Sequence, residues 1–224
     1  MIDARRLNIT AVDRFNQELT GAEQRLLSRL DTPNKIQLFL DDLIYAAETV
    51  YRCPLRVLHE RTCQCFDGAV FAAALLLRLG FPALILNLLP NNRDDDHVLA
   101  LFRQDRHWGA IAKSNFAGLR FREPIYRNVR ELVMSYFEHY YNLHREKTLR
   151  GYTRPLGLKE FDRYSWMTRD ETMELISQRL DDIRRENILT KSMIARLSIV
   201  DKRSCQAGLY GANKKGLSRP PRVQ

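Results

Sequence analysis

The chain has 224 residues, of which 45% are hydrophobic and 28% are charged, the composition of an ordinary soluble protein with one domain of about 150–200 residues. Its four cysteines form no Cys-x-x-Cys pair and are too few for a disulfide scaffold, which favours reduced thiols and a cytoplasmic protein. No apolar run approaches the ~18 residues of a membrane helix, and the N-terminus lacks the apolar core of a signal peptide. We therefore expect no membrane partner.

The positive charge is concentrated at the C-terminus. Residues 201–224 carry a net +5 of the chain's +9 and are rich in Gly, Ser and Pro, a composition that predicts a disordered tail. The rest of the chain divides into an N-terminal extension (residues 1–31), a core domain (residues 32–165) and a helical segment (residues 166–200). Because a basic tail attracts nucleic acid by its charge, nucleic-acid association stays open as one function.

The first part of the chain is predicted to be helical. A short helix over residues 21–31 is followed by Thr32-Pro33, an N-cap and a first-turn proline that begin an amphipathic helix to about residue 52. A shorter helix covers residues 54–61. From Cys65 onward, small and apolar residues recur at helical spacing until a Gly-Phe-Pro stop, which predicts a buried core helix.

A small antiparallel sheet is predicted in mid-chain. Residues 83–89 form a continuous apolar run that is typical of a buried strand, and residues 97–103 and 108–114 indicate a hairpin that turns at Asp105-Arg106. Further helices are expected from Glu123 to about residue 145 and after a capping box that begins at Thr168. Helices, a small sheet and helices again predict an α+β fold.

The register of the hairpin decides which side chains meet. A turn centred on residues 105 and 106 places Arg103 opposite Trp108 and His97 opposite Ser114, close enough to interact on one face. Asn115 then points to the other face, unless a bulge reverses it.

Four sequence motifs resemble one known superfamily. They are Cys65 to Ala69, which continues to Gly80-Phe-Pro-Ala83; Asp95 to His97; Trp108 to Asn115; and Arg130 to Phe137. A cysteine that opens a core helix, then a strand, then a histidine that opens the next strand is similar to the transglutaminase-like superfamily of papain-type cysteine enzymes. The resemblance implies a papain/transglutaminase-like α+β core, in which a central helix with the cysteine at its N-terminus packs on a small antiparallel sheet, with extra helices before and after.

The resemblance also implies a reaction. Cys65 would attack the carbonyl carbon of a peptide or amide substrate, and His97 would carry the proton. The dipole of the helix N-terminus favours the thiolate of Cys65. A third group normally orients the imidazole, and here that position holds Ser114 and Asn115 instead of a carboxylate. Trp108 would wall the cleft, and neither a cofactor nor a metal ion is expected.

Three alternatives stand beside this interpretation. Without the carboxylate, the chain is also consistent with an inactive scaffold that binds a protein partner. The run from Asp94 to His97 resembles metal ligands, but adjacent residues on a strand alternate between faces, which disfavours a metal site. Cys63 could form a bond with Cys65 under oxidation, or it is a bystander.

Overall fold

The computed structural model describes residues 10–48 and 50–217. Its α-helices are α1 (Ala11–Gln17), α2 (Gly21–Ser28), α3 (Pro33–Asp41), α4 (Pro54–Glu60), α5 (Cys65–Arg78), α6 (Val129–Met134), α7 (Glu171–Asp181), α8 (Lys191–Ile194) and α9 (Lys202–Gly208). Short 3-10 helices cover Ala117–Leu119, Phe137–His139, Leu158–Tyr164 and Lys214–Gly216. The strands are β1 (Ile44–Tyr45), β2 (Thr62–Cys63), β3 (Leu84–Pro90), β4 (His97–Gln104), β5 (His107–Ile111), β6 (Arg122–Tyr126), β7 (Leu149–Thr153), β8 (Leu156–Gly157) and β9 (Arg185–Asn187).

The main sheet is antiparallel and larger than the sequence predicted. Its strand order is β6-β5-β4-β3-β7-β9, and β8 also pairs with β3. Strands β1 and β2 form a separate parallel pair. The expected combination of an antiparallel sheet with several helices is confirmed.

Each face of the sheet has its own core. Val98, Ala100 and Phe102 of β4 pack in one core with α5, and α1 and α7 contribute to the same core. Leu99 and Leu101 belong to the other core, together with residues of α6. Side chains alternate along a strand, so consecutive residues at the start of β4 serve different faces.

The central helix and the hairpin agree with the predictions. Helix α5 begins at Cys65, and Gly80 after it has a φ of 89°, the left-handed conformation that ends many helices. The hairpin pairs Arg103 with Trp108, and its turn residues Asp105 and Arg106 have φ values of 47° and 65°. Positive φ at both central residues is the requirement of a type I′ turn.

Two predicted long helices are wrong. The helix expected to reach about residue 52 ends at Asp41, where the buried Lys113 ammonium donates to the backbone oxygens of Leu40 (2.7 Å) and Leu43 (2.5 Å). Its expected continuation includes β1. The helix expected from Glu123 is replaced by β6, which extends the sheet beside β5, and by the short α6.

The predicted capping box at Thr168 is also wrong. The Thr168 hydroxyl donates to the backbone oxygen of Ser165 at 3.3 Å, and α7 begins only at Glu171. Asp170 instead accepts a hydrogen bond from the Cys53 amide and pairs with Arg56. These two contacts attach the start of α7 to α4.

The C-terminal region differs from the disorder that its composition predicts. The Tyr141 hydroxyl donates to the backbone oxygen of Ser204 in α9 at 3.0 Å, and the Val200 amide donates to the Arg145 oxygen at 2.8 Å. Residues 218–224 of the expected tail lie outside the described residues, as do residues 1–9 of the expected extension. The segment boundaries at residues 31, 165 and 200 stay predictions.

Candidate active site

A buried carboxylate fixes the N-terminus of α5. Asp67 has no exposed surface and accepts hydrogen bonds from the backbone amides of Arg52 (3.0 Å) and Gln64 (3.4 Å). Burial raises the pKa of Asp67 to about 7, although both hydrogen bonds and the Arg52 guanidinium act in the opposite direction. These contacts hold the first turn of α5, which begins with Cys65, to the segment before α4.

The thiol of Cys65 lies against the backbone of the residue that precedes β4. Its Sγ is 3.9 Å from the backbone oxygen of Asp96, and the residue is part-exposed. Burial raises the pKa of Cys65 to about 12, and the negative charge of Asp96 acts in the same direction. Loss of water and a negative neighbour both disfavour the thiolate. In this conformation Cys65 is a neutral thiol, and not the thiolate that its position on the helix predicts.

His97 lies on the sheet face opposite to α5. It points to the same side as Leu99, where its Nε2–H donates to the backbone oxygen of Leu119 at 2.8 Å and its ring packs edge-on against Tyr140. Burial lowers the pKa of His97 to about 4, so the ring is neutral at pH 7. Within the described residues His97 has no hydrogen bond to Cys65. The thiolate–imidazolium pair expected from the sequence is not assembled in this conformation.

Both candidates for the third position bind other groups. Strand β5 ends three residues before Ser114, whose Oγ accepts a hydrogen bond from the Phe116 amide at 3.0 Å. Asn115 donates from Nδ2 to the backbone oxygen of Asn213 (3.0 Å) and accepts from the Asn213 amide at Oδ1 (2.8 Å). Ser114 and Asn115 line a cavity of about 60 Å³ together with His97, but in the described structure neither has a hydrogen bond to its ring.

Trp108 does not wall this site. It pairs with Arg103 at the turn end of the hairpin, where the Arg103 guanidinium lies 5.5 Å from the centre of its ring. Arg103 is six residues along β4 from His97, which corresponds to about 20 Å. Trp108 therefore packs the end of the hairpin.

Two further residues lie next to the thiol, and the sequence did not predict either of them as a catalytic or cleft residue. Asn87 and Asp96 line a cavity of about 240 Å³ with Cys65. Asn87 donates from Nδ2 to the Asp96 carboxylate, while its Oδ1 is buried without a hydrogen-bond partner in the described structure. Burial raises the pKa of Asp96. The sequence signal for this site was Asn87, an amide inside an otherwise apolar strand. Such a group is costly to bury without a hydrogen-bond partner.

The carboxylates of the acidic run before His97 bind different partners. Asp94 accepts a hydrogen bond from the Thr148 hydroxyl, whereas Asp96 accepts from Asn87. Within residues 10–48 and 50–217, no group of three or more His, Cys, Asp or Glu side chains is placed to hold a metal ion. No helix in the same ranges is long and apolar enough to cross a membrane.

No protein-family model and no curated protein matches the chain. Among solved structures, the chain is similar to Legionella pneumophila LapG, with a TM-score of 0.33 and 13% sequence identity over 46% of this chain and 70% of LapG. The EGTA-treated form of LapG gives the same TM-score and identity, and 68% of that chain is covered.

Proposed function

We propose that the chain processes amide bonds, as a peptidase, amidase or acyl transferase, with Cys65 as its nucleophile. The observation that supports this function is the position of the thiol. Cys65 is the first residue of a 14-residue helix, lines a cavity of about 240 Å³, and touches the backbone of the residue that directly precedes His97. A nucleophile, a proton carrier and a space for substrate therefore lie at one end of the sheet.

The reaction would proceed through a thioester. The Cys65 thiol gives its proton to His97, and Sγ attacks the carbonyl carbon while backbone N–H groups in the first turn of α5 stabilise the oxyanion. His97 returns the proton to the leaving amine as the C–N bond breaks. Water or a second amine then attacks the thioester and regenerates the thiol.

The conformation described above would be the resting form of this enzyme. Both reacting groups are neutral in it, because loss of contact with water disfavours the charged form of each. To reach the thiol, the ring of His97 must leave the Leu119 oxygen. The ring must also move from the face of Leu99 to the α5 face of the sheet, so substrate binding has to rearrange the start of β4 as well as replace this hydrogen bond.

A second candidate function is an inactive scaffold that binds a protein partner. The hydrogen bond of His97 to Leu119 and the use of both amide atoms of Asn115 by Asn213 favour it. In such a scaffold Cys65 would be an ordinary thiol.

Covalent labelling separates the two functions. The purified chain is treated with a mixture of peptidyl vinyl sulfones, and modification of Cys65 is followed by mass spectrometry in the wild type and in His97→Ala, with iodoacetamide labelling as the measure of bare thiol reactivity. If His97 carries the proton, His97→Ala lowers vinyl sulfone labelling at least about 10²-fold relative to iodoacetamide labelling. Equal loss of both labels, or no loss, favours the inactive scaffold.

A further inference from the structure

The C-terminal segment from residue 209 to residue 217, here called the strap, lies over the candidate active site. Gly216 and Leu217 line the small cavity that also contains His97, Ser114 and Asn115. The strap therefore covers the His97 side of the sheet, and it contacts one of the two residues expected at the third position, Asn115.

Asn115 binds the strap through its backbone. Its side-chain amide accepts from the Asn213 N–H and donates to the Asn213 oxygen, and Asn213 has the extended backbone angles φ −72° and ψ 106°. A side-chain amide that pairs with both backbone groups of one extended residue recognises the peptide backbone and does not select a particular side chain. The same pairing is available to any extended peptide that enters this position.

Tyr45 and Gly216 make the fit specific. The Asn213 side chain donates from Nδ2 to the Tyr45 oxygen at 2.9 Å. A Cβ atom on Gly216 would lie 2.8 Å from Tyr45 Cδ1 and 3.2 Å from Asn115 Nδ2, so the position accepts only glycine without displacement of its neighbours. A separate cavity of about 560 Å³ borders Tyr210, Gly211 and Asn213 of the strap, beside Tyr45 and Arg120, and it leaves space for larger side chains at those three positions.

The cavity under the strap has an acidic lining. Asp94, Asp95 and Asp96 line the cavity that Gly216 and Leu217 close, while Lys214 and Lys215 of the strap are exposed and form no ion pair with these carboxylates within the described residues. An acidic lining favours a basic occupant and disfavours an acidic one.

We propose that the groove under the strap is a binding site for a basic peptide that has an extended residue at the Asn213 position, a 3-10 turn after it and a glycine at the Gly216 position, and that the strap is its intramolecular occupant. A tethered segment has a high effective concentration, so a free peptide binds only after the strap has left. The proposal rests on the proposed function in one respect: the bound peptide would be the substrate of Cys65.

The test uses the full-length chain with Cys65→Ser, so that binding is measured without any chemistry. Gly216→Val is introduced to lift the strap, and Gly157→Val serves as the matched control, because a Cβ on Gly157 meets only Leu84 at 3.8 Å. Hydrogen exchange of residues 209–217 reports release. Fluorescence anisotropy reports binding of a labelled peptide with the sequence of residues 209–217, and of the same peptide with both lysines replaced by glutamate.

Gly216→Val is expected to increase exchange of the strap and to bind the basic peptide at least about tenfold more tightly than the Gly157→Val control does. Addition of Asn115→Ala is expected to abolish this gain, and the glutamate peptide is expected not to bind. A released strap without peptide binding overturns the proposal, and so does a strap whose exchange is unchanged by Gly216→Val. Failure of the vinyl sulfone test would leave these binding results intact, so the two proposals fail separately.

Discussion

The two sides of the sheet at the start of β4 are built differently. On the α5 side, Cys65, Asn87 and Asp96 border a cavity of about 240 Å³. On the other side, His97 is enclosed between Leu119 and Tyr140, and its cavity has only about 60 Å³. The difference follows from the two-residue period of a strand: His97 and Val98 are neighbours in β4 but belong to opposite faces, and Val98 lines the cavity of Cys65. Two residues that a motif places side by side can therefore serve two separate environments.

Burial acts on the two sides in opposite directions. It raises the pKa of the Cys65 thiol to about 12 and lowers the pKa of the His97 imidazole to about 4. Each shift keeps its group neutral, and an ion pair would have to overcome both. Any measurement that shows the thiol and the imidazole in contact would contradict this separation of the two sides.

The largest expected effect comes from removal of the His97 ring. His97→Ala deletes a buried ring and leaves the Leu119 oxygen without its donor, so we expect the free energy of unfolding to fall by about 3 kcal/mol. Cys65→Ala removes a part-exposed thiol at the end of a helix and should cost less than about 1 kcal/mol.

Urea denaturation of both single variants and of the double variant measures this directly. Because the side chains do not touch in the resting form, the two losses should add within about 0.5 kcal/mol. A coupling energy above about 1 kcal/mol would mean that the thiol and the imidazole interact in solution.

A somewhat smaller effect is expected from pH. The pKa of His97 is lowered from 6.5 to about 4 in the folded chain, so the unfolded chain takes up the proton first as the pH falls. The neutral ring therefore makes its full contribution to the free energy of unfolding above pH 6.5, and this contribution is lost as the pH falls toward 4. Between pH 7.5 and pH 4.5 the loss is about 2.5 kcal/mol.

The difference between wild type and His97→Gln isolates this contribution from that of the buried acids. Burial raises the pKa of Asp67 to about 7 and that of Asp94 to about 6, so these groups act with the opposite sign in both chains. Unfolding followed by circular dichroism at the two pH values should show the extra loss only in the wild type. Parallel pH profiles would contradict the buried, neutral state of His97.

The sequence predicts the elements that depend on local patterns and fails where distant segments decide. Helix α5 and the turn at Asp105-Arg106 follow from periodicity and turn geometry within a few residues. The residues of β6 were predicted as helix because their pairing with β5 is not visible in the local pattern. The sheet face on which His97 lies could not be predicted for another reason. Strand β4 is apolar on both faces, so its composition does not indicate which alternate set packs against α5.

Neutralisation of Asp96 should change the reactivity of the thiol moderately. Asp96 is the second largest cause of the raised pKa of Cys65, after burial. Asp96→Asn removes that charge, so the pKa of Cys65 falls and its alkylation by iodoacetamide at pH 8.5 should become roughly threefold to tenfold faster. Mass spectrometry follows Cys65 while Cys205, in the same molecule, serves as the reference. If the ratio of the two rates does not change, the charge of Asp96 does not affect the pKa of Cys65.

The smallest effect is expected at Ser114. Its hydroxyl accepts a hydrogen bond from the Phe116 amide and has none to the imidazole within the described structure. Ser114→Ala should therefore cost less than about 1 kcal/mol of stability and leave the pKa of His97 near 4, which the titration of its ring protons by NMR measures. A shifted pKa would show that the hydroxyl reaches the ring, as the hairpin register predicted. His97 would then have its third-position partner, and the absence of a carboxylate would weigh less against catalysis.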